Sequence, residues 1–340
     1  MSTAEPRFDP ATEAVIERLR EAVRRRYGTT VDIARFQLAT LGGSNRTLLF
    51  DLVDDRHHRR LVLRQETIAA DYTPFLQAPI QWPVLNTVYA RGLPVPEPLF
   101  ELEPVDDLGL GYVVGAIAGE TLPKRILGDP AFQVARARFP RQVGTMLARL
   151  HRIEPAAVPV LADVPESGDT LEAWMAYYDR WEEPHPVFDF AFRWLALHRP
   201  RAPRRCLVHG DFRIGNLIVA PAGIRALLDW ECAHIGDPLE DLGWFCTRSW
   251  RFGRNHLPAG GLASRDTLYR AYEAAGGEAV DREAARWWEI FGLLRWALYN
   301  LMQSYGHMSE RRRSPAFAAC GRNIATIEYD LIMSIAGRFD

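Results

Sequence analysis

The sequence predicts an α+β fold, with a strand-rich first third followed by a mainly helical remainder. Three observations carry that reading. Between Asp32 and Arg64 the runs Ile33 to Leu38, Thr47 to Val53 and Arg60 to Leu63 are separated by polar breaks, one of them rich in glycine, which is the pattern of paired strands. From Phe139 onward apolar residues recur at helical spacing, and residues 284 to 305 read as one long helix. Within that helical part, Leu207 to Glu231 returns to β-branched runs divided by Pro221-Ala222-Gly223, which reads as a strand, a loop and an antiparallel hairpin. A chain of 340 residues, 48% hydrophobic and 25% charged, can bury a core of one large domain or two ordinary ones.

In chain order, residues 10 to 27 place Val15, Ile16, Leu19 and Val23 on one face among Glu and Arg, an amphipathic helix that packs on the first strands. Leu41-Gly42-Gly43-Ser44-Asn45 joins the first two strands and Asp54 to His58 the next two. Glycines between paired strands permit close approach of backbone to a ligand. Gly92-Leu93-Pro94-Val95-Pro96 ends a helix and starts an extended segment, since proline restricts itself and its predecessor. Strands follow at Leu99 to Leu102 and Tyr112 to Ile117.

Phe139 to His151 is then a helix with Val143, Met146, Leu147 and Leu150 on one side, and its terminal His151 reads as a packing or capping residue. Pro155 to Pro165 is loop-like, Leu171 to Trp181 and Val187 to Leu197 are aromatic-rich helices, and Pro200 to Arg205 leads into the strand Cys206 to Val208. Asp237-Pro238-Leu239-Glu240 is a helix start: Asp caps, Pro takes the first turn and Glu stands three after the cap. Asp241 falls in that first turn, where it anchors the loop before it, and Glu231 and His234 can either meet a bound water or hold the turn.

The chemistry concentrates in LVHGDFRIGNLIVAPAGIRALLDWE, residues 207 to 231. A turn centred on Ala222 sets Asn216 opposite Leu228, one residue from Asp229. Neighbouring strands lie about 4.8 Å apart, so the Asn216 carboxamide and the Asp229 carboxylate can converge at the open end of the hairpin. His209-Gly210-Asp211 adds a second carboxylate on the loop before it. Hard oxygen donors with few carboxylates suit Mg²⁺, which takes the rest of its shell from water and phosphate, and that chemistry fits phosphoryl transfer.

The order H-G-D, then N five residues after the Asp, then D-W-E, then Gly236-Asp237-Pro238 and Asp241-Leu242, resembles the aminoglycoside phosphotransferase and choline kinase group. The resemblance implies a bilobal protein-kinase-like fold, with a small antiparallel-sheet N-terminal lobe over residues 1–117 and a mainly helical C-terminal lobe over 118–340. It implies an ATP- and Mg²⁺-dependent transfer of the γ-phosphate to a hydroxyl of a small molecule. Asp211 then orients the hydroxyl and accepts its proton, and Asn216 and Asp229 hold the metal. Gly42, Gly43, Ser44 and Asn45 form the loop over the phosphates, and the hinge that meets the adenine is Gly115, Ala116 and Ile117. Where the family has a Lys on its third strand, this chain, whose only Lys is Lys124, offers Arg64. That version resembles the kinase-like domain fused to acyl-CoA dehydrogenases. Gln81 stands where the family's helix carries the acidic partner of that base, and Gln cannot neutralise Arg64. The departure keeps a second reading open, a nucleotide-binding protein with little catalytic activity.

Composition narrows the partners. A net charge of −2 argues against general nucleic-acid affinity, and clusters such as Arg24-Arg25-Arg26 read as solvated surface. Cys206, Cys232, Cys246 and Cys320 lack metal-site or disulfide spacing and are expected as free thiols. No leader-like segment opens the chain and nowhere do eighteen apolar residues run together, which points to the cytosol and away from a membrane. A binuclear metal phosphoesterase would need more histidines at ligand spacing than His234, His256 and His307 provide. Arg295 and the aromatics of residues 284 to 305 make a poor pocket for polycationic antibiotics, so the expected acceptor is a neutral or anionic hydroxyl compound, acyl-bearing ones included.

Overall fold

The computed structural model describes residues 9–39, 45–54, 58–67, 73–201 and 204–339. Gly42, Gly43 and Ser44 lie outside the described residues. The chain divides into two compact units, residues 1–70 with 76–118, and residues 71–75 with 119–340.

The first unit opens with α1 (Pro10–Tyr27), capped by Asp9, whose carboxylate accepts the Thr12 N–H at 3.0 Å. Five strands follow, with α2 (Ala78–Ala90) between the third and fourth: β1 (Asp32–Leu38), β2 (Asn45–Val53), β3 (His58–Glu66), β4 (Pro98–Glu101) and β5 (Gly111–Gly115). All pairings are antiparallel and the order across the sheet is β1-β2-β3-β5-β4. Alternation decides the faces: Leu48 and Phe50, Leu61 and Leu63, and Val113 turn to one side, where Ile16, Leu19 and Val23 of α1 complete a core. Each such side chain, fully buried, stabilises the unit by roughly 1.5–3 kcal/mol. The opposite face of the central strands carries Thr47 against Arg64 and Arg64 against Tyr112.

The arginine cluster at the end of α1 is not merely solvated surface. Arg26 hydrogen-bonds both oxygens of Asp106 at 2.8 Å and Arg25 meets the same carboxylate at 2.7 Å. Burial pushes the Asp106 carboxyl up, but the bonds from Arg26, the Glu103 N–H and Arg25 prevail and hold it at about 2.

The second unit runs through α3 (Pro123–Gly128), α4 (Gln133–Leu150), α5 (Pro165–Gly168), α6 (Thr170–Arg180) and α7 (Pro186–Leu197) to β6 (Cys206–Val208). The hairpin β7 (Leu217–Ala220) and β8 (Gly223–Leu227) comes next, then β9 (His234–Gly236), α8 (Pro238–Cys246), α9 (Arg265–Ala274), α10 (Arg282–Met308) and α11 (Pro315–Ile335). The segment read as a loop at Pro155 to Pro165 contains two 3-10 turns, Pro155–Ala157 and Pro159–Leu161, before α5 begins at Pro165. Strand β9, too short to announce itself by alternation, pairs antiparallel with β6. Helix α10 is buried along most of its length and packs against α8, where Gly243 is required because a β-carbon would come within 2.6 Å of the Trp288 Cβ. The four cysteines are free thiols. Among the described residues no helix is long and apolar enough to cross a membrane.

Candidate active site

Strand β6 delivers His209, Gly210 and Asp211 to a loop whose backbone is pinned from below. The buried carboxylate of Asp241, in the first turn of α8, accepts the N–H of His209 at 2.8 Å and of Gly210 at 2.9 Å. His151 donates to it from Nε2 at 3.1 Å and accepts from Tyr272 at Nδ1, so the helix-terminal His is a strut. Burial opposes ionisation of Asp241, but the hydrogen bonds from the His151 ring and the His209 N–H outweigh it and hold the carboxyl below its usual value. Gly210 sits at φ 76°, and a β-carbon there would overlap the Cys232 carbonyl. The His209 ring is fixed as the neutral Nε2–H tautomer, because Nε2 donates to the Leu228 carbonyl at 2.8 Å and Nδ1 accepts the Asp211 N–H at 3.2 Å.

Asp211 and Asn216 are brought together. The Asn216 amide donates to Asp211 Oδ2 at 2.7 Å and to the Asp211 carbonyl at 2.9 Å, in a side chain only 1% exposed. Arg213 Nε is shared between the two Asp211 oxygens at 3.0 and 3.2 Å, and Trp244 Nε1 donates to Oδ1 at 2.9 Å. The Arg213 guanidinium lies 5.0 Å from the Trp250 ring centroid. Burial disfavours its charge, and Asp211 more than restores it, so its pKa is raised.

The hairpin register agrees with the sequence at its open end: Leu217 pairs with Leu227, and the Leu228 N–H donates to the Asn216 carbonyl at 2.8 Å. Nearer the turn the register slips between Ile218 and Val219, so Ala220 faces Gly223 and only Pro221 and Ala222 remain outside the ladder. Asp229, one residue past this junction, adopts φ 62°, a left-handed conformation that is uncommon outside glycine and that Asp adopts more readily than most residues.

One sequence reading changes here, and one that was open is narrowed. Arg295 does not line a substrate wall. It is 2% exposed, ion-paired with Glu240, and donates to the Gly210 carbonyl at 2.7 Å. His234 is likewise internal: Nδ1 donates to the Cys232 carbonyl at 2.9 Å and Nε2 to Glu240 at 3.1 Å. Both nitrogens face acceptors, so the ring is an imidazolium; burial works against that charge, but Glu240 raises the pKa. Asp237 caps α8 as read, accepting the Leu239 N–H at 2.8 Å, and its other oxygen accepts Trp288 Nε1 at 2.8 Å.

In the first unit, Arg64 stands on β3 on the face away from the α1 core. The carboxamide of Gln81 is engaged elsewhere, accepting the Tyr112 hydroxyl at 3.0 Å and donating to the Leu76 carbonyl. Glu66 stands two residues from Arg64 along the same strand. Its carboxylate takes the Ala78 N–H at the start of α2, and burial raises its pKa against that bond, a bond from Gln77 and, least, the charge of Arg64. Asn45 opens β2 opposite Glu66. Of the hinge residues, Gly115 ends β5 and donates to the Glu97 carbonyl at 2.9 Å, and the Ala116 N–H is spent on the Arg60 carbonyl at 3.0 Å.

Trp244 escapes sequence reading, since an indole 33 residues beyond Asp211 has no motif to mark it. Arg213, two residues after Asp211, was findable by position alone.

Residues 36–288 match the sequence profile of the phosphotransferase enzyme family. Mouse acyl-CoA dehydrogenase family member 10 is 30% identical over 216 residues, covering 60% of this chain and 19% of the relative. The chain thus spans about a fifth of that protein's length. A candidate aminoglycoside phosphotransferase of Ralstonia eutropha superposes with a TM-score of 0.71 at 22% identity, covering 98% of this chain and all of that one. A choline/ethanolamine kinase family protein of Mesorhizobium loti superposes with a TM-score of 0.60 at 18% identity, covering 96% and 98%. The α+β, kinase-like fold expected from the sequence is the fold of these structures.

Proposed function

The chain belongs to the phosphotransferase enzyme family, and from that premise we propose that it is an ATP- and Mg²⁺-dependent kinase of a small-molecule hydroxyl. The observation that carries this reading is the engagement of the Asp211 carboxylate by Asn216 at 2.7 Å, on a loop whose backbone Asp241 holds at 2.8 and 2.9 Å.

The donor set fits Mg²⁺. The Asn216 amide nitrogen is committed to Asp211, which leaves its carboxamide oxygen as the atom to meet a cation. Asp229, at φ 62°, contributes a second hard oxygen. Among the described residues no three His, Cys, Asp or Glu side chains cluster as a metal site, so a cation on Asn216 and Asp229 would complete its shell with water and phosphate oxygens, as Mg²⁺ does. When bound, the ion supplies charge neutralisation to the transferring phosphoryl group.

In the reaction, Asp211 accepts a hydrogen bond from the acceptor hydroxyl and takes its proton as the oxygen–phosphorus bond forms. The bond from the γ-phosphorus to the β-bridging oxygen breaks, and ADP leaves. Arg213 adds positive charge beside the reacting groups. Arg64 holds nucleotide phosphates with the backbone of Gly42, Gly43, Ser44 and Asn45, and backbone groups of Gly115, Ala116 and Ile117 meet the base. With its N–H spent on Arg60, Ala116 has only its carbonyl to offer. The acceptor is a small neutral or anionic alcohol. Arg295 no longer supports that choice; what supports it is Arg213 at the site and an aromatic rather than acidic set of neighbours, Trp244, Trp250 and Tyr299.

The test is ADP release from Mg-ATP across pools of hydroxylated metabolites, with phosphorylated product identified by mass. Asp211→Ala is expected to lower transfer by roughly 10²–10⁴-fold, the range of general-base catalysis, with nucleotide affinity retained. An undiminished rate removes Asp211 from this role. A second reading, nucleotide binding with little turnover, is motivated by Gln81, whose carboxamide is bound to Tyr112 and Leu76. Binding of Mg-ATP with no ADP release on any pool would favour it.

A further inference from the structure

The hydrogen bonds on Asp211 lead outside the motif. An ionised carboxylate offers about four lone-pair positions. Here Trp244 Nε1 takes one on Oδ1, Asn216 Nδ2 takes one on Oδ2, and Arg213 Nε is divided between the two oxygens. Of these donors only Arg213 can give way to an incoming hydroxyl: its contacts are the longest, at 3.0 and 3.2 Å, and its side chain is 29% exposed. Trp244 and Asn216 are each 1% exposed and cannot leave without stranding a buried polar group.

Resting on the phosphotransferase reading, we propose that Trp244 is a positioning residue for Asp211. Its indole N–H holds Oδ1 while Asn216 holds Oδ2, so the carboxylate cannot swivel about its Cβ–Cγ bond. It then presents to the acceptor hydroxyl the lone pair that Arg213 vacates. The indole is itself seated firmly. The Arg295 guanidinium lies 4.2 Å from its ring centroid, and Trp250 and Tyr299 flank it at 5.3 and 6.1 Å. Arg295 also holds the Gly210 carbonyl, so one buried cation steadies the backbone before Asp211 and the ring that grips its side chain. Burial alone does not produce such an alignment: the indole N–H groups of Trp174, Trp230 and Trp250 are buried with no partner among the described residues.

Trp244→Phe keeps a ring in the cavity and removes the donor. The expected result is a kcat for transfer lowered about tenfold, the loss of one hydrogen bond to a charged group, with the Kd for Mg-ATP and the KM for the acceptor within about twofold of the parent. A ring that only fills space predicts the converse, kcat retained and the melting temperature lowered, and unchanged kcat overturns the proposal. A readout independent of turnover is the ¹⁵N-resolved indole resonance of Trp244, assigned by its absence in the Phe variant. Asp211→Asn should move that resonance upfield and speed its exchange with solvent, and an unmoved resonance overturns the proposal whatever the activity. If the parent transfers phosphate to no acceptor, it is the phosphotransferase reading that fails, and the resonance still decides whether Trp244 holds Asp211.

Discussion

At Asp237 burial outweighs two hydrogen bonds. The carboxyl caps α8 and accepts from Trp288, yet burial pushes its pKa up from 3.8 to about 6, against the pull of the Leu239 N–H and the Trp288 indole. A carboxyl with a folded value above its unfolded one binds its proton more tightly in the native state. Its contribution to stability is complete below pH 3.8 and is lost as pH rises through about 6, so at neutral pH the native state carries a buried charge. Asp237→Asn keeps an acceptor for the cap and for Trp288 without that charge. Relative to the parent it should therefore gain about 2 kcal/mol between pH 4 and pH 7, measured by denaturant unfolding at both values. An identical difference between the two proteins at pH 4 and pH 7 would show that Asp237 does not titrate in this window. Residues of this kind mark the limit of sequence reading. Asp237 was legible as a cap because Asp-Pro-x-Glu is a local pattern, whereas its elevated pKa comes from burial, which depends on packing by elements distant in sequence and has no local signature.

Between elements, the tie that matters most is Arg295, through which α10 reaches both Glu240 of α8 and the Gly210 carbonyl of the catalytic loop. Breaking a buried pair from one side leaves the other charge stranded, at a cost of about 3–5 kcal/mol, so Arg295→Met should destabilise the protein by that amount in denaturant unfolding. Glu240→Gln should cost less on the Arg295→Met background than in the parent, because the Arg295–Glu240 pair is already broken there, while the Glu240 contact with His234 is lost in both; a double variant as unstable as the sum of the two singles would contradict the coupling. The elements themselves were largely legible. Helix α1, the three strands β1 to β3, and the hairpin β7 and β8 follow from local apolar periodicity and turn residues. What escaped was whatever depends on distant pairing. Strand β9 exists because β6 lies beside it, and the slip between Ile218 and Val219 shortened the turn by one residue. Arg295 was misplaced because a lone cation on an apolar helix reads as exposed until its buried partner is known.

Across the whole molecule, the proposed roles fall into different units. Arg64 and the hinge residues belong to the unit with the five-stranded sheet, and Asp211, Asn216 and Asp229 to the helical one. That division predicts which measurement each substitution moves. Arg64→Ala removes a cation from the sheet face opposite the α1 core, so folding should be little affected, while the Kd for Mg-ATP should rise about tenfold or more, the scale of a lost charge-assisted contact with phosphate. Arg64→Lys should recover part of that affinity, since an ammonium still meets phosphate as a point charge without the guanidinium's planar fork. Glu66 sharpens the test: its carboxylate both caps α2 and lies within the field of Arg64. If Glu66 has taken over the role left open by Gln81, Glu66→Gln should weaken nucleotide binding, whereas Gln81→Ala should lower the melting temperature and leave the Kd nearly unchanged. Calorimetric titration of the four variants with Mg-ATP decides between them: an Arg64→Ala protein that binds as tightly as the parent would show that the cation facing the phosphates is another residue, and would reopen the assignment of the β3 position altogether.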